Sequence, residues 1–356
     1  MSNKKILVAM SGGVDSAVAA LLVSSKYTDT AGITMKLWSD TEPFGDGFDV
    51  SPDQNCLDAR LICDRLGIPH YSVSLGDSFK ACVVDKFIDE YIAGRTPNPC
   101  VECNRSIKFG RLFDAILHYG YDTLATGHYA NIVKNPSGSF SLKRAADASK
   151  DQSYFLWSID RSRLGQIILP LGNMTKAEIR EIAAKNGFEN AHRKDSQDIC
   201  FIPNGEYAGF IRAHTGAEFP AGNFIDVGGS ILGTHSGIIN YTVGQRKGLG
   251  IALGQPMFVK EKNARQNTVT LSTDSELYSD TLTACRINLL ECTSLSSPER
   301  LTAKIRYRHT PAAATVIQTD GDTLSVKFDE PQRAAAAGQS LVLYDGDTVV
   351  GGGIIC

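Results

Sequence analysis

No apolar run in this 356-residue sequence approaches the roughly 20 residues that a membrane-spanning helix needs; the longest, such as residues 17–23, fall far short. The opening Met-Ser-Asn-Lys-Lys leads towards a strand with neither the apolar core nor the cleavage site of a secretory leader. With both signals missing, the expectation is a cytoplasmic protein with no membrane partner. An excess of positive charge is missing too. The 36 Lys and Arg against 39 Asp and Glu give a net charge of −3, so any RNA binding must come from local basic patches. Internal repeats and low-complexity tracts are absent, apart from a short alanine run at 334–337. Cysteine, by contrast, is plentiful. Nine in a chain of this composition point to a reducing cytoplasm, and to chemistry or core packing in place of a disulfide framework. The length suits two or three domains.

Residues 1–205 alternate strand and helix patterns. Ile6-Leu-Val-Ala-Met10 reads as a buried strand, 16–24 as a helix, and 53–66 as a second helix closed by Gly67. After a strand at 71–75, residues 78–91 place Phe79, Cys82, Val83, Phe87 and Tyr91 on one helical face. A further amphipathic helix is expected over 107–117 and a strand around 123–126. Thr175-Lys-Ala-Glu178 has the form of a capping box. This alternation predicts an α/β domain built on a parallel sheet. Residues 206–280 are glycine-rich with short β-like runs, as at 228–233, and suit a small central linker domain. From 281 to 356, period-two runs such as Leu324-Ser-Val326-Lys-Phe328, with Asp-Gly turns, predict a C-terminal β-barrel.

Ser11-Gly12-Gly13-Val14-Asp15-Ser16 follows the first strand directly and opens a helix. Glycines there let backbone N–H groups curl around an anion, and a helix N-terminus adds partial positive charge. A plain strand-to-helix turn would need only the glycines. The Gly-Lys-Ser/Thr ending of a kinase-type phosphate loop is absent. The motif resembles the PP-loop of ATP pyrophosphatases, which cleave ATP to AMP and pyrophosphate, and that superfamily includes ligases and tRNA-modifying enzymes alike.

Two cysteines sit where core packing does not explain them. Arg95-Thr-Pro97-Asn98-Pro99-Cys100-Val-Glu-Cys103-Asn104 reads as a proline-stiffened loop before a helix beginning near Asn104, which would favour the Cys103 thiolate through the helix dipole. Lys194-Asp-Ser-Gln-Asp-Ile-Cys200-Phe201 ends a polar stretch in a thiol. Two such thiols suit sulfur relay, one carrying a persulfide and the other attacking its sulfur–sulfur bond. The remaining cysteines, 56, 63, 82, 285, 292 and 356, read as core filler.

At these residues the chain resembles the tRNA-specific 2-thiouridylases. The PP-loop, Thr96-Pro-Asn-Pro99 with Cys103-Asn104, Thr126-Gly-His-Tyr-Ala130, Lys150-Asp-Gln-Ser-Tyr-Phe-Leu156, Asp195-Ser196 through Cys200-Phe201-Ile202, Gly244-Gln-Arg-Lys-Gly-Leu-Gly250 and Arg306-Tyr307 match in order. The resemblance implies a PP-loop domain, a central domain and a C-terminal barrel. It implies that Ala9, Met10, Ser11, Gly12, Gly13, Val14, Asp15, Ser16, Met35 and Gly127 bind ATP with Mg²⁺, and that Asn98, Pro99 and Cys100 meet the target base. Cys103 would be the nucleophile and Cys200 the persulfide carrier. His128, Lys150, Asp151, Gln152, Arg306, Tyr307 and Gln339 would contact tRNA. The substrates would be tRNAs reading lysine, glutamate and glutamine codons, thiolated at the wobble uridine. The sulfur donor would be a cysteine desulfurase, directly or through a relay protein.

Cys100 stands where many members carry aspartate, so Cys100, Cys103 and Cys200 also offer three thiolates for an iron–sulfur cluster. That spacing alone is weak evidence for a metal, and the expectation is a metal-free relay. Further cations await RNA at Lys143-Arg144, His192-Arg-Lys194 and Arg246-Lys247. Lys304, Arg306 and Arg308 should share one strand face, as RNA contacts or as a solvated edge. Two rivals stand beside thiolation. An ammonia-using PP-loop ligase gives Cys103 and Cys200 no task, and an RNA-binding protein with a vestigial loop leaves the intact motif unexplained.

Overall fold

The computed structural model describes residues 4–37, 54–188, 199–202 and 205–356. Its first sheet is all parallel, with β1 (Ile6–Ala9), β2 (Thr30–Lys36), β3 (His70–Ser74), β4 (Thr123–Ala125) and β7 (Ile167–Ile168) in the order β3-β2-β1-β4-β7. Alternation along β1 sends side chains to opposite faces. Leu7 packs with Phe109, Leu112 and Phe113 on one side. Ile6 and Val8 pack with Val18 of α1 (Val14–Ser24), Ile62 of α2 (Gln54–Leu66) and Ile179 on the other. The expected α/β domain is present. The Thr175–Glu178 capping box forms in both directions, the Thr175 amide donating to Glu178 Oε2 at 2.7 Å and the Glu178 amide to Thr175 Oγ1 at 3.3 Å.

Two helices differ from expectation. The first, α3, spans 76–92 with a π-helical turn at Lys80–Val84, and buries Phe79, Val83, Phe87 and Tyr91. Those side chains pack against Phe224, Val259 and Leu271 of the central domain. At about 1.5–3 kcal/mol for each large buried side chain, this face fastens the two domains together. The second, α4, spans 99–118 and begins five residues before Asn104. Asn98 is its N-cap, accepting from the Cys100 amide at 3.2 Å, and Pro99 occupies the first helical position. The Asn-Pro pair is a helix start in its own right, because proline's missing N–H costs nothing in the first turn.

The central domain opens with a helix at Tyr207–Thr215 that the glycine-rich texture concealed. It continues as a four-stranded sheet, β10-β11-β8-β9, from β8 (Gly222–Ile225), β9 (Ile231–His235), β10 (Phe258–Asn263) and β11 (Thr268–Ser272). The barrel consists of β12 (Tyr278–Leu289), β13 (Glu299–Lys304), β14 (Ala312–Asp320), β15 (Thr323–Arg333), β16 (Ser340–Asp345) and β17 (Thr348–Ile355), closed by the β12–β17 pairing. Leu324, Val326 and Phe328 face its interior as the period-two pattern requires. A hairpin of the first domain, β5 (Asn131–Lys134) and β6 (Phe140–Lys143), joins the barrel sheet through Thr348 and Lys143.

Two further expectations are corrected here. The strand carrying Lys304 stops at that residue, so Arg306 and Arg308 lie in the turn beyond it, where His309 N–H bonds the Arg306 carbonyl. Cys285 and Cys356 are not core filler but a disulfide across the β12–β17 seam, where antiparallel pairing brings their Cα atoms to 6.3 Å.

Candidate functional site

The winding of the parallel sheet locates the site. From β1 the chain steps outward through β2 to β3, then returns to the opposite side of β1 for β4. Loops leaving the carboxyl ends of β1 and β4 therefore diverge and leave a crevice at this switch point, the usual place for a ligand in an open α/β sheet. Residues 11–13 leave β1 there, and Thr126, Gly127 and His128 leave β4.

The loop after β1 is held by its serines. Ser16 Oγ donates to the Gly13 carbonyl at 2.9 Å and accepts from the Ser11 amide at 3.2 Å. Gly13 caps α1 without any side-chain cap, so the first helical amides can serve an anion. The neighbouring glycines have different jobs. Gly12 has φ +72°, and a Cβ there would lie 2.9 Å from the Asn55 carbonyl; a Cβ on Gly127 would lie 2.9 Å from Asp15 backbone. These two are demanded by the protein. Gly13 has φ −88°, and its Cβ would meet only Ser11 Oγ at 3.4 Å, so open space lies in front of it. That cradle fits a phosphate chain.

Asp15 is held from within the protein. Tyr129 Oη donates to it at 2.6 Å, and Lys176 Nζ, only 8% exposed, at 2.8 and 2.9 Å. Asp15→Ala would strip a buried ammonium of its carboxylate and destabilise the fold, so loss of activity there says little about ATP. Met10 is buried, and Met35 sits at the carboxyl end of β2, half-buried against two cores.

Cys103 lies within α4, at the start of a π-helical stretch, Cys103–Arg111, of a kind that often marks functional positions. It is 8% exposed, and burial pushes its thiol pKa up. The expectation of a dipole-favoured thiolate is corrected: Cys100 occupies the first turn, while Cys103 is a turn further in and desolvated. Cys200, exposed as a residue, is likewise raised, to about 12, chiefly by burial around its sulfur and then by the charges of Cys103 and Cys100. The three thiols thus sit within one another's field.

Lys108 is the cation that opposes these shifts, favouring the thiolates of both Cys103 and Cys200. The sequence motifs did not single it out, although it lies five residues past Cys103 on the same helix. Its ammonium also approaches His128 Nε2 at 3.4 Å. An ammonium can only donate, so Nε2 accepts, and Nδ1–H is directed at Thr126 Oγ1, 2.7 Å away. Burial, then Lys108, hold His128 well below the usual imidazole pKa, so it is neutral. If burial governs Cys103, its alkylation by iodoacetamide, followed site by site by mass spectrometry, should speed up about tenfold per pH unit from 7 to 9. A plateau below pH 8 would show the thiolate already stabilised.

Several residues expected to meet tRNA are engaged inside the protein. Both ring nitrogens of His128 have partners. The Asp151 carboxylate is buried and accepts from Ala145 N–H, Ser153 N–H and Ser153 Oγ. Gln152 Oε1 accepts from Tyr129 N–H at 2.9 Å, and Gln339 Nε2 donates to the Thr96 carbonyl at 2.8 Å. Lys150 is half-buried beside them. Arg306 is exposed, bonding the Arg333 carbonyl at 2.9 Å, and Tyr307 packs on Phe155 with centroids 4.5 Å apart. Lys304 is half-buried near the rings of Tyr154 and Tyr307. Residues 192–198, including Asp195 and Ser196, lie outside the described residues. Among the described residues, no group of three His, Cys, Asp or Glu forms a metal site, and no helix is long and apolar enough to cross a membrane.

Comparison with known proteins follows this division of the chain. Residues 4–204 match the family model of a tRNA methyl transferase HUP domain. Residues 208–273 match a tRNA methyl transferase PRC-barrel domain, and 279–355 an aminomethyltransferase beta-barrel domain. Among curated proteins, the chain is 45% identical over 358 residues to "tRNA-specific 2-thiouridylase MnmA" of Lachnoclostridium phytofermentans, covering 99% of each. It is 44% identical to the protein of that name from Clostridioides difficile, over 99% of this chain and 98% of the relative. The one from Acetivibrio thermocellus is 44% identical over the whole of both chains. The domain descriptions speak of methyl transfer and the full-length relatives of thiolation; three thiols that feel one another's charge fit the second.

Proposed function

The chain belongs to the tRNA-specific 2-thiouridylase family, and from that premise we propose how its own residues divide the work of an ATP-dependent tRNA sulfurtransferase. One observation carries the assignment. The loop after β1 and the turn after β4 flank one crevice, and His128 in that turn reaches Lys108, whose helix carries Cys103. On this reading activation and sulfur transfer share one edge of one sheet.

The uridine 2-carbonyl is a poor electrophile with an oxide-like leaving group. In the proposed reaction its oxygen attacks the α-phosphorus of ATP, pyrophosphate departs, and AMP becomes the leaving group. The first amides of α1, beyond the Gly13 cap, stabilise the charge that develops on the phosphates, and a Mg²⁺ brought with the nucleotide would neutralise part of it. The terminal sulfur of a Cys200 persulfide then bonds to C2 as AMP leaves. Cys103 thiolate attacks Cys200 Sγ, and the breaking sulfur–sulfur bond leaves its electron pair on the 2-thio group. A Cys103–Cys200 disulfide remains, which an external dithiol reduces. The base must leave its stack to reach the Cys200 sulfur, with Asn98, Pro99 and Cys100 receiving it. We assign as substrates the wobble uridines of tRNAs reading lysine, glutamate and glutamine codons, in the cytoplasm. A cysteine desulfurase, directly or through a relay, supplies the sulfur.

RNA-dependent pyrophosphate release, followed by nucleoside analysis for 2-thiouridine, tests this reading. Release without RNA, or RNA binding without release, would favour the ligase or the simple binder. Affinity for tRNA should also fall steeply with salt despite the acidic net charge. Replacing exposed Arg306 and Arg308 with alanine should reduce the slope of log K against log salt by about one for each phosphate that an arginine neutralises. An unchanged slope would return this turn to solvent.

A further inference from the structure

The start of α4 borders a cavity of about 350 Å³, whose lining includes Pro97, Asn98 and Pro99 together with Gly338, Ile354 and Asn288 of the barrel. Pro99 is buried, and polar contacts from the barrel hold the backbone just before it. Thr96 N–H donates to the Ala337 carbonyl at 2.8 Å. Gln339 Nε2 donates to the Thr96 carbonyl at 2.8 Å and approaches the Pro97 carbonyl at 3.4 Å. Two carbonyls on one side dictate that the amide NH₂, not its oxygen, faces the loop. Gly338 makes the approach possible: its φ is +92°, and a Cβ would lie 3.0 Å from Thr96 N. The hook is itself anchored, since Gly338 N–H bonds the Ile355 carbonyl and Ile355 N–H the Gln339 carbonyl, at 2.9 and 2.8 Å.

We infer that Gln339 is a positioning residue: it hooks the barrel onto the Thr96–Pro97 backbone and so sets where Asn98 and Cys100 stand, in place of holding tRNA. The inference rests on the assignment of 98–100 as the base-receiving loop. It makes the barrel part of the catalytic geometry.

Gln339→Met keeps the length and removes the donors; Gln339→Lys keeps a donor. With Gln339→Met, hydrogen exchange at the amides of Thr96 and Cys100 in the full-length protein should quicken at least tenfold. Thiolation at saturating tRNA should fall about tenfold, with tRNA Kd unchanged within twofold, and Gln339→Lys should recover most of the loss. Gly338→Ala, which pushes on the same backbone, should repeat the exchange and turnover effects. A weaker Kd with saturating turnover and exchange unchanged would make Gln339 a tRNA contact and overturn the inference. So would no change in any of the three. The exchange measurement needs no substrate, so a failure of the thiolation reading would show separately, as faster exchange in a protein that makes no 2-thiouridine.

Discussion

Cys200→Ser should still release pyrophosphate when given ATP and tRNA, yet form 2-thiouridine at least about a thousandfold more slowly than the unaltered enzyme, because serine cannot carry a persulfide. The two halves of the reaction use different parts of the crevice. In the proposed reaction adenylation depends on the loop at 11–14, which opens α1, while sulfur enters from the side of α4. Cys103→Ser should differ in kind. With Cys200 intact, a persulfide can load and attack once, but the Cys200–sulfur link to the base has no resolving thiolate. The expected outcome is tRNA trapped on the protein, seen as a covalent band that a reducing agent releases. Equal, full loss of pyrophosphate release in both variants would mean that the thiols build the activation site, and the division of labour would be wrong.

The second large effect is expected at Gly13. A Cβ there meets only Ser11 Oγ, at 3.4 Å, and the backbone conformation suits any residue. The fold should survive, with the melting temperature within a few degrees. Pyrophosphate release should nevertheless fall on the order of 10²–10³-fold, because the side chain fills the space where the phosphates meet the backbone donors. Gly12→Ala is the contrast. It forces a left-handed φ on a residue with a Cβ and presses on Asn55, so it should cost stability as well as activity. Retained activity in a folded Gly13→Val protein would remove the phosphate chain from this loop.

Much of this arrangement is legible in the sequence where chemistry is local. Two glycines and two serines between a strand and a helix specify the loop at 11–16, and Thr175 and Glu178 specify their capping box. The alternation Leu324, Val326, Phe328 specifies a strand with one buried face. What escapes the sequence is pairing at a distance. Lys176 meets Asp15 across 161 positions, and Gln339 meets Thr96 across 243; neither lysine nor glutamine carries a mark saying which carboxylate or carbonyl it will find. Asp151, which the resemblance offers to tRNA, is buried because its turn folds around it. Cys285 and Cys356 become partners only because β12 and β17 close the barrel. The start of α4 was legible and is a different case: Asn98-Pro99 is a helix-opening pair, obscured by the prolines' resemblance to a stiff loop. Moving that start to Pro99 is what turns Cys103 from an N-terminal thiolate into a buried thiol.

A single turnover tests the central claim most directly. Enzyme purified without oxygen and loaded with persulfide on Cys200 is mixed with ATP, Mg²⁺ and substrate tRNA, with iron chelated and no other sulfur source. One AMP, one pyrophosphate and one 2-thiouridine should form per persulfide consumed, leaving a Cys103–Cys200 disulfide detectable by peptide mass analysis. Stoichiometric iron in the purified protein, whose removal stops thiolation while the Cys200 persulfide persists, would contradict the metal-free relay and give Cys100, Cys103 and Cys200 to a cluster instead.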